Sequence, residues 1–221
     1  MARPPFPRRA VVAALLAALA ALPRPAAAAP LDAVYEVRGA GVRLMDVEAR
    51  FDLPDNGSYA LEMTARLRGV ASWFGAGQST TRVSGQWGGD TARPSRYQSE
   101  GTWRGEPRRT LIEYPDNQPV LRQLVPEQDT DREPIPPEAR RGTRDSLSVF
   151  AQLSRNIQRT GRCEGEARVF DGRRLSDFRA WTERMDELPR GEGAFAGPAL
   201  RCAFLGRLIA GRHAAQEQRD G

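Results

Sequence analysis

The chain has 221 residues, 33 of them basic and 28 acidic, with one histidine, two cysteines and a net charge of +5. This length supports one domain with a real core. Four arginines and no acid fall in the first 28 residues, so the rest of the chain carries only +1. That near-neutral charge gives no ground for a nucleic-acid partner. Every basic residue is arginine. The arginines alternate with acids, as in Asp46-Val-Glu48-Ala-Arg50, which describes a solvated face.

Arg3, Arg8 and Arg9 lead into an uncharged apolar run over residues 10–22, followed by Pro23-Arg24-Pro25 and four alanines. A basic head, a short apolar stretch and an Ala-x-Ala end are the parts of a secretory signal peptide. The apolar run falls short of the roughly 20 residues of a membrane span. Residues 1–28 are therefore expected to be a signal peptide cut after Ala28, since Pro30 is a poor residue just after a cut. The expected location is the periplasm, with no transmembrane segment in the mature chain. Arg8-Arg9 leaves Sec and twin-arginine export both open.

Residues 29–212 are expected to form one β-rich envelope domain. Ala33, Tyr35 and Val37 precede a turn at Arg38-Gly39-Ala40-Gly41. Met45, Val47, Ala49 and Phe51 alternate with charged residues, and Tyr59, Leu61, Met63, Ala65 and Leu67 do so again after Pro54-Asp55-Asn56-Gly57. Period two on both sides of an Asn-Gly turn predicts a β-hairpin with one buried face and one wet face. Glycines then bracket the apolar segment Gly69-Val70-Ala71-Ser72-Trp73-Phe74-Gly75. It reads either as a plug for one end of the sheet or as a hydrophobic lip at a ligand site, with Val70, Trp73 and Phe74 as the lip residues.

Further strands are expected at Thr81, Val83, Gly85 and Trp87, at residues 97–103, and at Thr110, Ile112 and Tyr114. Residues 115–137 hold six prolines. Proline has no amide hydrogen for a ladder, so this stretch is expected to be a long exposed loop. Residues 146–158 place Leu147, Phe150, Ala151 and Ile157 on one face at helical spacing, widened by Val149 and Leu153, with Asp145 or Thr143 as cap. Strands at residues 167–170 and 175–182 flank an Asp171-Gly172 turn, and a last one carries Leu200, Cys202 and Phe204. Residues 213–221 form a polar tail expected to fray. The pattern as a whole predicts a mainly β fold: an antiparallel curved sheet or partial barrel with one packed amphipathic helix.

Cys163 and Cys202 are an even pair, which in an exported chain reads first as a disulfide. Closing that loop is worth roughly 4 kcal/mol on the chain-entropy model. A metal site is the alternative, although His213 in the tail adds only a poor third ligand. No catalytic set is apparent. Serine hydrolysis needs a base within reach of the nucleophile, and the only histidine is His213. Ser146 beside Asp145 reads as helix-start chemistry, and Asp171-Gly172-Arg173-Arg174 as a hairpin turn. Glu164 and Glu166 could flank a glycan, but they alternate along one strand and read as solvent-facing. The expectation is therefore no enzyme and no cofactor.

Short pieces stand out across the chain: Tyr35-Glu-Val-Arg-Gly39, Gly69-Val-Ala-Ser-Trp73, Pro94-Ser-Arg-Tyr97 and Gly142-Thr-Arg-Asp145-Ser-Leu-Ser148. Cys163 with Val169-Phe-Asp-Gly-Arg173, Gly197-Pro-Ala-Leu-Arg-Cys202 and Ile209-Ala-Gly211 follow in order. With these pieces the chain resembles the bacterial exported domain-of-unknown-function family numbered 3108. The resemblance implies an exported β-rich domain of no assigned activity, with its cysteines paired across strands. Relatives are expected to run past the Ile-Ala-Gly segment into further strands, which leaves open how far the barrel closes. The leading expectation for function is a periplasmic, non-enzymatic protein binding a lipid or other apolar or amphipathic envelope ligand. The alternative is a structural or assembly partner of an envelope protein, using an edge strand or the Pro-rich loop. A hydrolase of envelope polymers ranks last. An apolar cavity of several hundred Å³ would favour the first reading, a filled interior the second, and a cleft with convergent carboxylates the third.

Overall fold

A computed structural model describes residues 29–55, 57–69, 77–127, 132–191 and 195–212. The signal segment 1–28, the lip residues Val70, Trp73 and Phe74, and the tail with His213 lie outside the described residues. Seven strands form one antiparallel sheet in chain order: β1 (Leu31–Gly39), β2 (Val42–Asp52), β3 (Ser58–Leu67), β4 (Gly77–Gly88), β5 (Thr91–Trp103), β6 (Glu106–Glu113) and β7 (Val120–Val125). Helix α1 (Ser146–Thr160) follows. Then β8 (Gly165–Phe170), β9 (Leu175–Leu188) and β10 (Gly197–Ala210) form a second antiparallel sheet in the order β10-β9-β8. The fold is mainly β, curved and open rather than a closed barrel, with one packed helix.

The expected hairpin is β2–β3. Phe51 faces Leu61, Ala49 faces Met63 and Val47 faces Ala65, so the apolar set shares one face. That face continues through Val83 and Tyr97 to Ile112. Tyr59 crosses the sheet at Gly85, where an added Cβ would lie 2.6 Å from the ring and 2.4 Å from the Arg93 carbonyl oxygen. No other residue fits there without displacing the ring that fills the core.

The outward face carries the ion pairs that the alternation implies: Asp32–Arg50, Glu48–Arg66 and Glu62–Arg82. Asp46 departs from this pattern. It is on the wet face yet buried, gripped by Arg43 and Arg68 at 2.5 and 2.7 Å. Desolvation pushes its carboxyl up, but the hydrogen bonds from Arg68 and Arg43 outweigh that and hold it below the usual range.

Helix α1 begins where the sequence indicates. Asp145 is the N-cap and accepts from the Ser148 amide at 2.8 Å. Gly161, left-handed at φ 68°, ends the helix, and its amide donates to the Ile157 carbonyl. The helix lies between the two sheets, against β4 and β5 on one side and β8 on the other. Phe150 meets the Phe51 ring at 6.0 Å. On the far side Leu153 joins Cys163 and Ala180 in a second small core. Arg144, just before the cap, adds two backbone bonds to β8, through the Arg168 carbonyl and the Phe170 amide.

The stretch over residues 115–137 corrects the expectation of a long exposed loop. It contains β7, paired with β6, and it buries Ile135 in the main core. The prolines flank the strand at Pro115, Pro119 and Pro126 rather than interrupt it. The ladder therefore loses none of the amides it needs. Arg140 donates to the Ile135 carbonyl and sits over the Phe170 ring at 5.1 Å.

Candidate functional site

The concave face of the seven-stranded sheet has two halves. Helix α1 covers one. Beneath it lie Phe51, Tyr59, Leu61, Val83, Tyr97 and Ile112, all buried. Trp87 stacks on Tyr59 at 4.8 Å, and the Arg155 guanidinium caps Trp87 at 4.3 Å.

The covered half also contains the densest polar cluster. Asp145 is fully buried; its second oxygen accepts from the Ser148 hydroxyl at 2.7 Å, and Tyr59 shares a hydrogen bond with that hydroxyl at 2.8 Å. The Tyr114 hydroxyl is buried beside the carboxyl without a well-formed hydrogen bond. Burial pushes the Asp145 carboxyl up, against the lowering effect of the Ser148 bonds. Burial likewise raises the phenols of Tyr59, Tyr97 and Tyr114. A carboxylate and a serine with no solvent access cannot meet a substrate. Their geometry fixes the helix start onto the sheet, the role expected for Asp145, with Ser148 rather than the neighbouring Ser146 as its serine partner.

Other candidates from the sequence are apart from this cluster. Glu164 pairs with Arg162 at 3.2 Å and Glu166 with Arg179 at 3.3 Å, both on the solvent side. Asp171 accepts from the Arg173 and Arg174 amides, as a turn residue does. Among the described residues no three His, Cys, Asp or Glu side chains gather as a metal site would require. Cys163 and Cys202 are bonded to each other, Cα to Cα 5.8 Å. The bond lies beside Thr182 of β9, whose hydroxyl accepts from the Cys163 amide. It ties the start of β8 to β10, next to Leu153 of the helix.

Among the described residues no helix covers the other half of the concave face. Register places Tyr35 and Val37 of β1, Met45 of β2, Leu67 of β3, Gly77 of β4 and Trp103 of β5 at this end. Tyr35 remains 45% exposed and Trp103 40% exposed, beside a half-buried Leu67. At Gly77 a Cβ would approach the Trp103 ring to 3.2 Å and Leu67 to 3.4 Å, so leucine, glycine and tryptophan form one continuous apolar strip. Leu67, where β3 ends, and Gly77, where β4 begins, both belong to this strip. Trp103 was legible only as a strand end.

A cleft of about 410 Å³ lies between α1 and the smaller sheet. Its lining mixes Val149, Leu153 and Phe178 with Asp90, Glu164 and Glu166, so the two glutamates named from the sequence border this cleft, each carboxylate paired with an arginine. The apolar surface left uncovered is thus the open sheet face, not this enclosed space.

A family model described as protein of unknown function (DUF3108) matches residues 33–202. The chain belongs to this family. The DUF3108 match runs from within β1 to Cys202, so it takes in all but the first two residues of the larger sheet, the helix and both cysteines. Neither the curated proteins nor the solved structures give a match.

Proposed function

We propose that the mature chain is an exported, non-enzymatic protein of the cell envelope that holds an apolar or amphipathic ligand on the open half of its concave face. The observation that carries this reading is the exposed strip of Tyr35, Val37, Leu67 and Trp103. Exposed aromatic and aliphatic side chains grouped on one concave surface mark a binding site. The disulfide agrees with an oxidising compartment. Asp145 is buried as the helix cap, and Glu164 and Glu166, at the border of the cleft beside α1, are each paired with an arginine.

Native mass spectrometry of protein taken from the periplasm tests the reading. The expected result is a chain beginning at Ala29 with a co-purifying lipid that Leu67→Asp releases. Full-length protein held in the inner membrane, or a ligand-free chain that takes up no lipid, overturns it. A second reading rests on β1. This edge strand leaves Leu31 64% and Val34 76% exposed, on opposite faces, and an unpaired backbone edge of that kind can accept a strand from an envelope protein. A stable protein complex from the same preparation, lost on substitution of Val34, would favour it.

A further inference from the structure

We propose that the outward face of the three-stranded sheet docks onto an anionic lipid surface. Register sets out this face row by row. Arg168 stands opposite Asp177, and Asp177 opposite Arg207; Glu166 stands opposite Arg179, and Arg179 opposite Leu205; Trp181 stands opposite Ala203. Asp177 pairs with both Arg168 and Arg207 at 3.0 Å, and Glu166 with Arg179. Arg141 joins them along a shallow groove of about 730 Å³. Four arginines thus share two carboxylates, an excess of two positive charges in one groove.

The same face keeps large apolar side chains in water. Trp181 is 37% and Leu205 57% exposed, one row apart. Tryptophan beside arginine suits the headgroup level of a bilayer, where the ring sits at the interface and the guanidinium meets lipid phosphate. The outward face of the larger sheet is the internal control. There Asp32–Arg50, Glu48–Arg66 and Glu62–Arg82 pair one to one, while Glu113 serves both Arg96 and Arg122. On the smaller sheet's face the arginine excess lies beside an exposed tryptophan. This inference is independent of the ligand reading, because Leu67 and Trp103 belong to the other sheet.

Co-sedimentation of the disulfide-bonded chain with vesicles tests it. Vesicles of phosphatidylglycerol and phosphatidylethanolamine are compared with phosphatidylcholine alone. We expect binding to the anionic vesicles that falls as salt rises. Each interfacial charge removed should weaken it about fivefold. Arg179→Gln with Arg207→Gln should therefore cost roughly 25-fold. The matched pair Arg50→Gln with Arg82→Gln should change it little. Trp181→Ala with Leu205→Ala should weaken binding to anionic vesicles further. All these side chains are solvent-exposed, and circular dichroism confirms that each variant is folded. Equal binding to neutral vesicles, equal loss in both arginine pairs, binding only to inorganic phosphate or to an acidic protein, or no binding at all would each overturn the proposal.

Discussion

The two halves of the concave face share one alternating pattern and differ in what lies above them. In the covered half the rings of Phe51, Tyr59 and Tyr97 are buried under α1. In the open half Tyr35 and Trp103 keep nearly half of their surface in water. The strands are the same β1 to β5, and the side chains are of similar size. The lesson is that an apolar face of a sheet is core only where a second element reaches it. Elsewhere the same residue types form a surface available for binding.

The sharpest way to break this comparison is truncation in each half. Phe51→Ala should lower stability by about 3–5 kcal/mol in urea unfolding, because a cavity opens beneath the helix. Cys202→Ala should follow closely, at roughly 2–5 kcal/mol, since it frees the sheet that backs the helix from the far side. Thiol labelling of the denatured wild type before reduction should find no free thiol.

A pH series sharpens the covered half further. Burial raises Asp145 in the folded chain above its unfolded value. Its contribution is therefore fully present below the unfolded carboxylate range, under about pH 4, and is lost as pH rises through the folded value. Asp177 and Asp186 act oppositely. Hydrogen bonds from Arg207 and Arg168 hold the first low, and those from Arg184 and Arg201 the second, so their contribution is lost on acidification. They are common to wild type and Asp145→Asn, so the difference between the two isolates Asp145. Asparagine still caps the helix. The stability of Asp145→Asn relative to wild type should rise from acid to neutral pH; a flat difference would contradict the buried-carboxylate account.

The smallest stability effects belong to the open half. Trp103→Ala should stay within about 0.5 kcal/mol and should instead reduce lipid retention. Trp73→Ala should behave the same way as a lip residue. If Trp73 is a core plug, its loss should cost roughly 3–5 kcal/mol. A Trp103 variant as unstable as Phe51→Ala would erase the distinction between the halves.

The elements that depend on local pattern were legible in the sequence. Period two gave the β2–β3 hairpin, and helical spacing after Asp145 gave α1. Elements set by distant contacts were not. The strand at residues 120–125 was hidden because proline density looked like a loop, while each proline fell just outside the ladder. Asp46 looked solvated because the strand pattern cannot show that Arg68, across the hairpin, returns to bury it. Trp103 and Tyr35 follow the same alternation as Tyr97 and Val47. Nothing in that alternation says where a helix of 15 residues stops covering the sheet. The division into two sheets was likewise invisible, since it depends on α1 passing between them.

The chain order of the larger sheet also governs how the protein acquires its structure. Each of its strands pairs with the next one in sequence, so the whole meander is built from contacts of short sequence separation. Such contacts close quickly. The helix that shelters them is made only after the seventh strand, and its outer support, β8 to β10, later still. Until the helix docks, the rings of Phe51, Tyr59 and Tyr97 lack the cover it gives them. An aggregation-prone interval of this kind ends only when residues 146–160 emerge and settle onto the sheet.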